Sequence, residues 1–169
     1  MSNEKQIQPY NREKALVYAT QWALSRNNKY YDFSGLGGDC TSFASQVLAA
    51  GGAQMNYSPT FGWYYISANQ KSPSWTGVNF LYDFLTANLN QGPFAEPVDP
   101  EMVEPGDIVQ LSFSGNGHFG HSLVVTKLLT PPNLENIFVS AHSPNILNQR
   151  LPNTYSWNDI RFIHIQGSR

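Results

Sequence analysis

Cysteine is nearly missing from this chain: Cys40 stands alone among 169 residues. A single thiol excludes an internal disulfide and any multi-cysteine zinc site. Charge is scarce too. Ten Lys and Arg against twelve Asp and Glu leave a net charge of −2 with no long basic run, which argues against nucleic acid or an anionic membrane as partner. No apolar run is long enough to span a membrane, and Met1 to Tyr10 is too polar for a signal peptide. The chain reads as soluble, or as a domain of a longer exported protein, extracellular or cell-wall-associated, whose signal lies outside this stretch. Plentiful instead are hydrophobic residues, 41%, and aromatics, 14%. They are enough for one globular domain with a real core. The expected division is a flexible lead over residues 1–9 and a single domain over 10–169, with a monomer expected.

The lone cysteine sits in Gly37-Gly38-Asp39-Cys40-Thr41-Ser42-Phe43. A lone cysteine is most often an inert buried side chain, but its surroundings here point elsewhere. Two glycines allow a sharp turn with positive φ, and Asp39 and Thr41 are cap and first-turn residue types. Phe43, Ala44, Val47 and Leu48 then recur at helical spacing until Gly51-Gly52 stops the helix. Cys40 is therefore expected at a helix start. There the helix dipole favours a thiolate and unpaired N–H groups can hold an oxyanion.

An apolar face over Ala15, Val17, Tyr18, Trp22 and Ala23 predicts an earlier helix, with Asn11 as its cap. Residues 78–88 predict another, with Phe80, Leu81, Phe84 and Leu85 inward. The aromatic stretch between them holds Trp63, Tyr64 and Trp75, which are candidate walls of a substrate groove or else a satellite core cluster. Residues 90–105 read as a proline-broken connection. Strands are predicted over 108–113, from His121 to about Leu129, over 137–142 and near 160–165. Helices first and an antiparallel sheet second make an α+β fold.

A thiolate nucleophile needs a base, and the base needs an orienter. His121 opens a strand and is the expected base, with His118 in the preceding glycine-rich turn as runner-up. His142 ends the next strand, where an antiparallel neighbour could orient the base; Asn145, Ser140 and Asp107 are the alternatives. His164 reads as structural. A zinc site built on His118, His121 and His142 has loose spacing and leaves Cys40 idle, so no metal and no cofactor are expected.

These residues resemble a known family. Tyr10-Asn11-Arg12, Trp22-Ala23, the Gly-Gly-Asp-Cys-Thr block, Ser45-Gln46, Trp63-Tyr64-Tyr65, Gly106-Asp107-Ile108, His121-Ser122 and Ala141-His142-Ser143-Pro144 are similar to the putative amidase domain of Gram-positive bacteria. Ser42 stands where that family usually has Asn. The family belongs to the papain-like superfamily of NlpC-type and CHAP-type cysteine hydrolases. The resemblance implies a papain-like fold, with N-terminal helices carrying the cysteine against a sheet carrying the histidines. It also implies a Cys40, His121, His142 site, an oxyanion tyrosine at Tyr30 or Tyr31, and peptidoglycan peptides as substrate. The expected activity is hydrolysis of an amide. Acyl transfer through the same thioester, or an inactive cell-wall-binding module built on the aromatics, are the competing readings.

Overall fold

The computed structural model describes residues 6–169. Among the described residues four α-helices and eight strands follow one another. The first helix, α1 (Arg12–Trp22), is capped by Asn11, whose side chain accepts the Lys14 N–H at 3.0 Å. Next come α2 (Cys40–Ala50), a small hairpin of β1 (Tyr65–Ser67) and β2 (Gln70–Lys71), the single turn α3 (Pro73–Thr76), and α4 (Val78–Ala87). The rest is mostly strand: β3 (Pro93–Val98), β4 (Ile108–Ser112), β5 (His121–Leu128), β6 (Ile137–Ala141), β7 (Ile146–Arg150) and β8 (Asp159–Ser168). The last six strands form one antiparallel sheet in the order β3-β8-β4-β5-β6-β7. The α+β class and the order of helices before sheet agree with the sequence.

Because successive side chains in a strand alternate between faces, the sheet has two distinct cores. On one face Ile108, Val124, Ile163 and Ile165 meet the helices through Ala15, Ala19, Phe43, Val47, Leu48, Leu81 and Leu85. On the other, Val109, Leu111, Leu123, Val125, Val139 and Ala141 are covered by the connecting segments around Val103, Leu151, Tyr155 and Trp157. Val17 and Phe80, read as inward from helical spacing, are exposed instead.

The β1–β2 hairpin, α3 and β7 have no counterpart among the expected elements, and two further segments depart from expectation. The proline-rich connection contains β3. Its prolines are tolerated because β3 is an edge strand, paired on one side only with β8. The expected lead is also tied down where it is described. Gln8 exchanges two backbone hydrogen bonds with Ser168, at 2.7 and 3.0 Å, while residues 1–5 of that lead lie outside the described residues.

One buried carboxylate fastens the first helix to the sheet. Asp107 accepts from Arg12 Nη1 at 2.8 Å, from the Glu104 and Ile165 N–H groups, and meets His164 Nδ1 at 2.8 Å. Asp107 and His164 are thus committed to holding the fold. Neither is free to orient His121.

Candidate active site

The site lies at one rim of the sheet. Antiparallel pairing brings together there the end of β4, the start of β5, the end of β6 and the start of β8: Leu111 faces His121, and Ser112 faces Asp159. The N-terminus of α2 meets the same rim. Gly37 and Gly38 both take positive φ, 93° and 109°, so the chain turns sharply into Cys40 at the first helical position. The first bond from the helix start runs from the Phe43 N–H to the Asp39 carbonyl at 2.9 Å. The N–H groups of residues 40–42 precede it and have no carbonyl one turn back to receive them.

Cys40 is buried and held between two fastened neighbours. On one side, the Thr41 and Ser122 hydroxyls bond at 3.0 Å, joining α2 to β5. On the other, the Asp39 N–H donates to Ser143 Oγ at 2.8 Å. The Asp39 carboxylate accepts the Phe33 N–H at 2.9 Å and meets His142 Nδ1 at 2.6 Å. Asp39 is the residue before the helix, but its side chain caps nothing. It clamps the glycine loop and the end of β6 instead.

His121 is almost wholly buried at the start of β5. Burial pushes its pKa down to about 4, since desolvation disfavours the charged ring. It is therefore a neutral imidazole at pH 7, the form that can accept a proton. Its ring stands nearly perpendicular to Tyr155, with centroids 5.2 Å apart, and Phe113 lies 6.5 Å away. His121 Nε2 and Tyr155 Oη are both buried without a hydrogen-bond partner. Burial, with a smaller contribution from charge on Cys40, pushes the Tyr155 phenol up, and its ring adjoins the imidazole.

His142 corrects an expectation. It does not orient His121. Its Nε2 donates to the Trp22 carbonyl at 2.6 Å, its Nδ1 meets Asp39, and its ring stacks on Phe43 of α2 at 4.1 Å. The reason is strand parity. Val124 pairs with Ser140 on the helix side of the sheet, and His142 shares that side, whereas His121 has the parity of Leu123 and Val125 and faces the other. The alternatives fare no better. Ser140 Oγ is engaged with Thr126 and the Asn148 N–H, and Asn145 and His118 are exposed.

The groove candidates divide. Trp63 and Trp75 have no exposed surface. They lie tilted against each other with centroids 5.0 Å apart in the helix-side core, where Trp63 Nε1 donates to Ser45 Oγ, so neither can wall an open groove. Tyr64 keeps part of its surface and tilts against Tyr57 at 5.6 Å. Tyr30 is taken up by Trp75 and Tyr65, at 5.7 and 5.1 Å. Tyr31 is exposed, edge-on to Phe33. It lines a groove of about 560 Å³ together with Leu36, Gly37, Gly38, Asn69 and Lys71, immediately before Cys40. A comparable hollow of about 570 Å³ lies elsewhere, between Phe61, Phe80, Phe84 and Leu89. Tyr155 is the residue that sequence reasoning missed. Only its place in an aromatic run before the last strand marked it, and nothing in that run signals a site.

Among the described residues no group of His, Cys, Asp and Glu is arranged to hold a metal ion. No helix among them is long and apolar enough to cross a membrane.

A thiol at a helix start and a buried imidazole at a strand start meet the same rim of an α+β scaffold. The chain belongs to the family described as "Putative amidase domain", whose model matches residues 9–165. That description carries an amide-hydrolysing function. An uncharacterized protein of Bacillus subtilis (strain 168), YhbB, is 36% identical over 119 residues, which cover 69% of this chain and 37% of that protein. The chain thus spans little more than a third of that relative's length. No solved structure matches.

Proposed function

We propose that this domain is a papain-like cysteine amidohydrolase in which Cys40 is the nucleophile and His121 the base. The observation that supports the reading is the Thr41–Ser122 bond: Cys40 and His121 are the residues immediately before its two members, so this buried contact holds the start of α2 against the start of β5. In this reading neutral His121 takes the Cys40 proton and the thiolate attacks an amide carbonyl. The free N–H groups at the start of α2 meet the oxyanion. His121, now an imidazolium, protonates the departing amine, and water then splits the thioester. Tyr31 is the better second oxyanion donor, since it lines the groove while Tyr30 stacks in the core margin. His142 and Asp39 fix the helix start. No cofactor enters any step.

The groove beside Gly37 and Gly38 suits an extended peptide, and the family resemblance directs the choice to the peptide part of peptidoglycan. The burial of Trp63 and Trp75 removes two aromatics on which a pure binding module would depend, which favours the enzyme. Peptidoglycan fragments incubated with the wild-type domain should release new amines in step with new carboxylates, and Cys40→Ala and His121→Ala should release none while remaining folded. Turnover by Cys40→Ala would overturn the nucleophile. New amide products in place of carboxylates would make the reaction acyl transfer.

A further inference from the structure

We propose that Tyr155 is the positioning residue for His121, its hydroxyl oxygen accepting the Nε2–H hydrogen bond through one bridging water. The proposal rests on the assignment of Cys40 and His121 as the reacting pair.

Buried polar atoms without partners are few in a folded protein, and each calls for an explanation. Here two of them occur on neighbouring rings, His121 Nε2 and Tyr155 Oη. Their needs are complementary. If Nδ1 is to accept the thiol proton, the neutral ring must carry its hydrogen on Nε2, and that hydrogen requires an acceptor. A phenol oxygen is one. Phe113, 5.8 Å from Tyr155 and 6.5 Å from His121, walls the same spot. Every other polar side chain considered for the task is engaged elsewhere or exposed: His142 with Asp39 and Trp22, Ser140 with Thr126, Asp107 with Arg12 and His164, and Asn145 at the surface. A phenol also suits the electrostatics. It orients the ring without adding a negative charge, so His121 stays neutral until it takes the thiol proton. Burial and the nearby Cys40 keep the phenol itself protonated.

The single cysteine makes the test clean, because every alkylation event reports Cys40. The probe is iodoacetamide, applied from pH 5 to 9 to the wild type, Tyr155→Phe and His121→Ala, with urea unfolding of each. Tyr155→Phe keeps the ring and removes only the hydroxyl, so its urea midpoint should fall no more than the loss of one hydrogen bond allows. Its alkylation near neutral pH should slow about tenfold, a fraction of what losing the base itself costs. Its pH profile should shift toward that of His121→Ala. A merely structural tyrosine would leave both rate and profile unchanged. If His121→Ala slows alkylation while Tyr155→Phe matches the wild type, the role of Tyr155 is refuted and the Cys40–His121 pair survives. If His121→Ala also matches the wild type, the pair falls and the role of Tyr155 falls with it.

Discussion

His121 should make this fold lose stability in mild acid. Its ring is about 5% exposed, and no charged partner offsets its burial, so the folded-state pKa lies near 4 against 6.5 in a model compound. Between those values the unfolded chain binds a proton that the folded chain refuses. The unfolded state therefore gains as pH falls, and stability rises with pH across that window. The contribution is fully present above about pH 6.5 and is lost on approach to pH 4. At pH 7.5 the penalty is negligible; at pH 5 it is roughly 2 kcal/mol from this residue alone. His121→Gln removes the titration and keeps a polar side chain. Urea unfolding of both proteins at pH 7.5 and pH 5.0 gives the difference of differences, in which the other titrating groups cancel. The wild type should lose roughly 2 kcal/mol more than His121→Gln over that interval. Parallel losses in the two proteins would show that His121 is charged, or solvated, in the folded state, and its part as a neutral base would fall too.

His142→Ala leaves the Asp39 carboxylate buried, with the Phe33 N–H at 2.9 Å and Arg26 Nε at 3.6 Å as its remaining partners. Breaking a buried pair from one side costs about 3 kcal/mol, whereas Arg150→Ala at the exposed Arg150–Glu135 pair should cost less than about 1 kcal/mol. Equal urea midpoints for the two variants would refute the clamp, and His142→Ala should in any case lower turnover less than His121→Ala. Thr41→Val removes the tie to β5, but Ser122 Oγ keeps its bond from Gln110 Nε2 at 3.2 Å. The stability cost should therefore stay near 1 kcal/mol, while iodoacetamide labelling of Cys40 slows because its register to His121 loosens. Unchanged labelling would show that the tie does not set the register.

Local signals served the sequence reading well where one element decides the outcome. Gly37, Gly38 and the helical spacing after Cys40 are enough to locate α2 to the residue, and alternation located β4, β5 and β6 within one residue. The misses arose where partners distant in sequence decide. β3 was hidden because proline is a breaker everywhere except on an edge, and whether a strand is an edge depends on the whole sheet order. His142 was misassigned because adjacency of strands was inferred without their parity, and parity decides which face a side chain joins. Trp63 and Trp75 looked like groove walls because aromatic residues line clefts and cores alike. Tyr155 was invisible because its neighbours, Phe113 and His121, lie more than thirty positions away in the chain.

The pairing of Gln8 with Ser168 bears on how this domain can be carried. β8 begins at the rim that holds the site, where Asp159 faces Ser112, and ends at Ser168. At about 3.3 Å per residue, that strand spans roughly 30 Å. Gln8 and Ser168 therefore lie side by side at the end of β8 opposite the rim. The rim is left clear of both ends of the described chain.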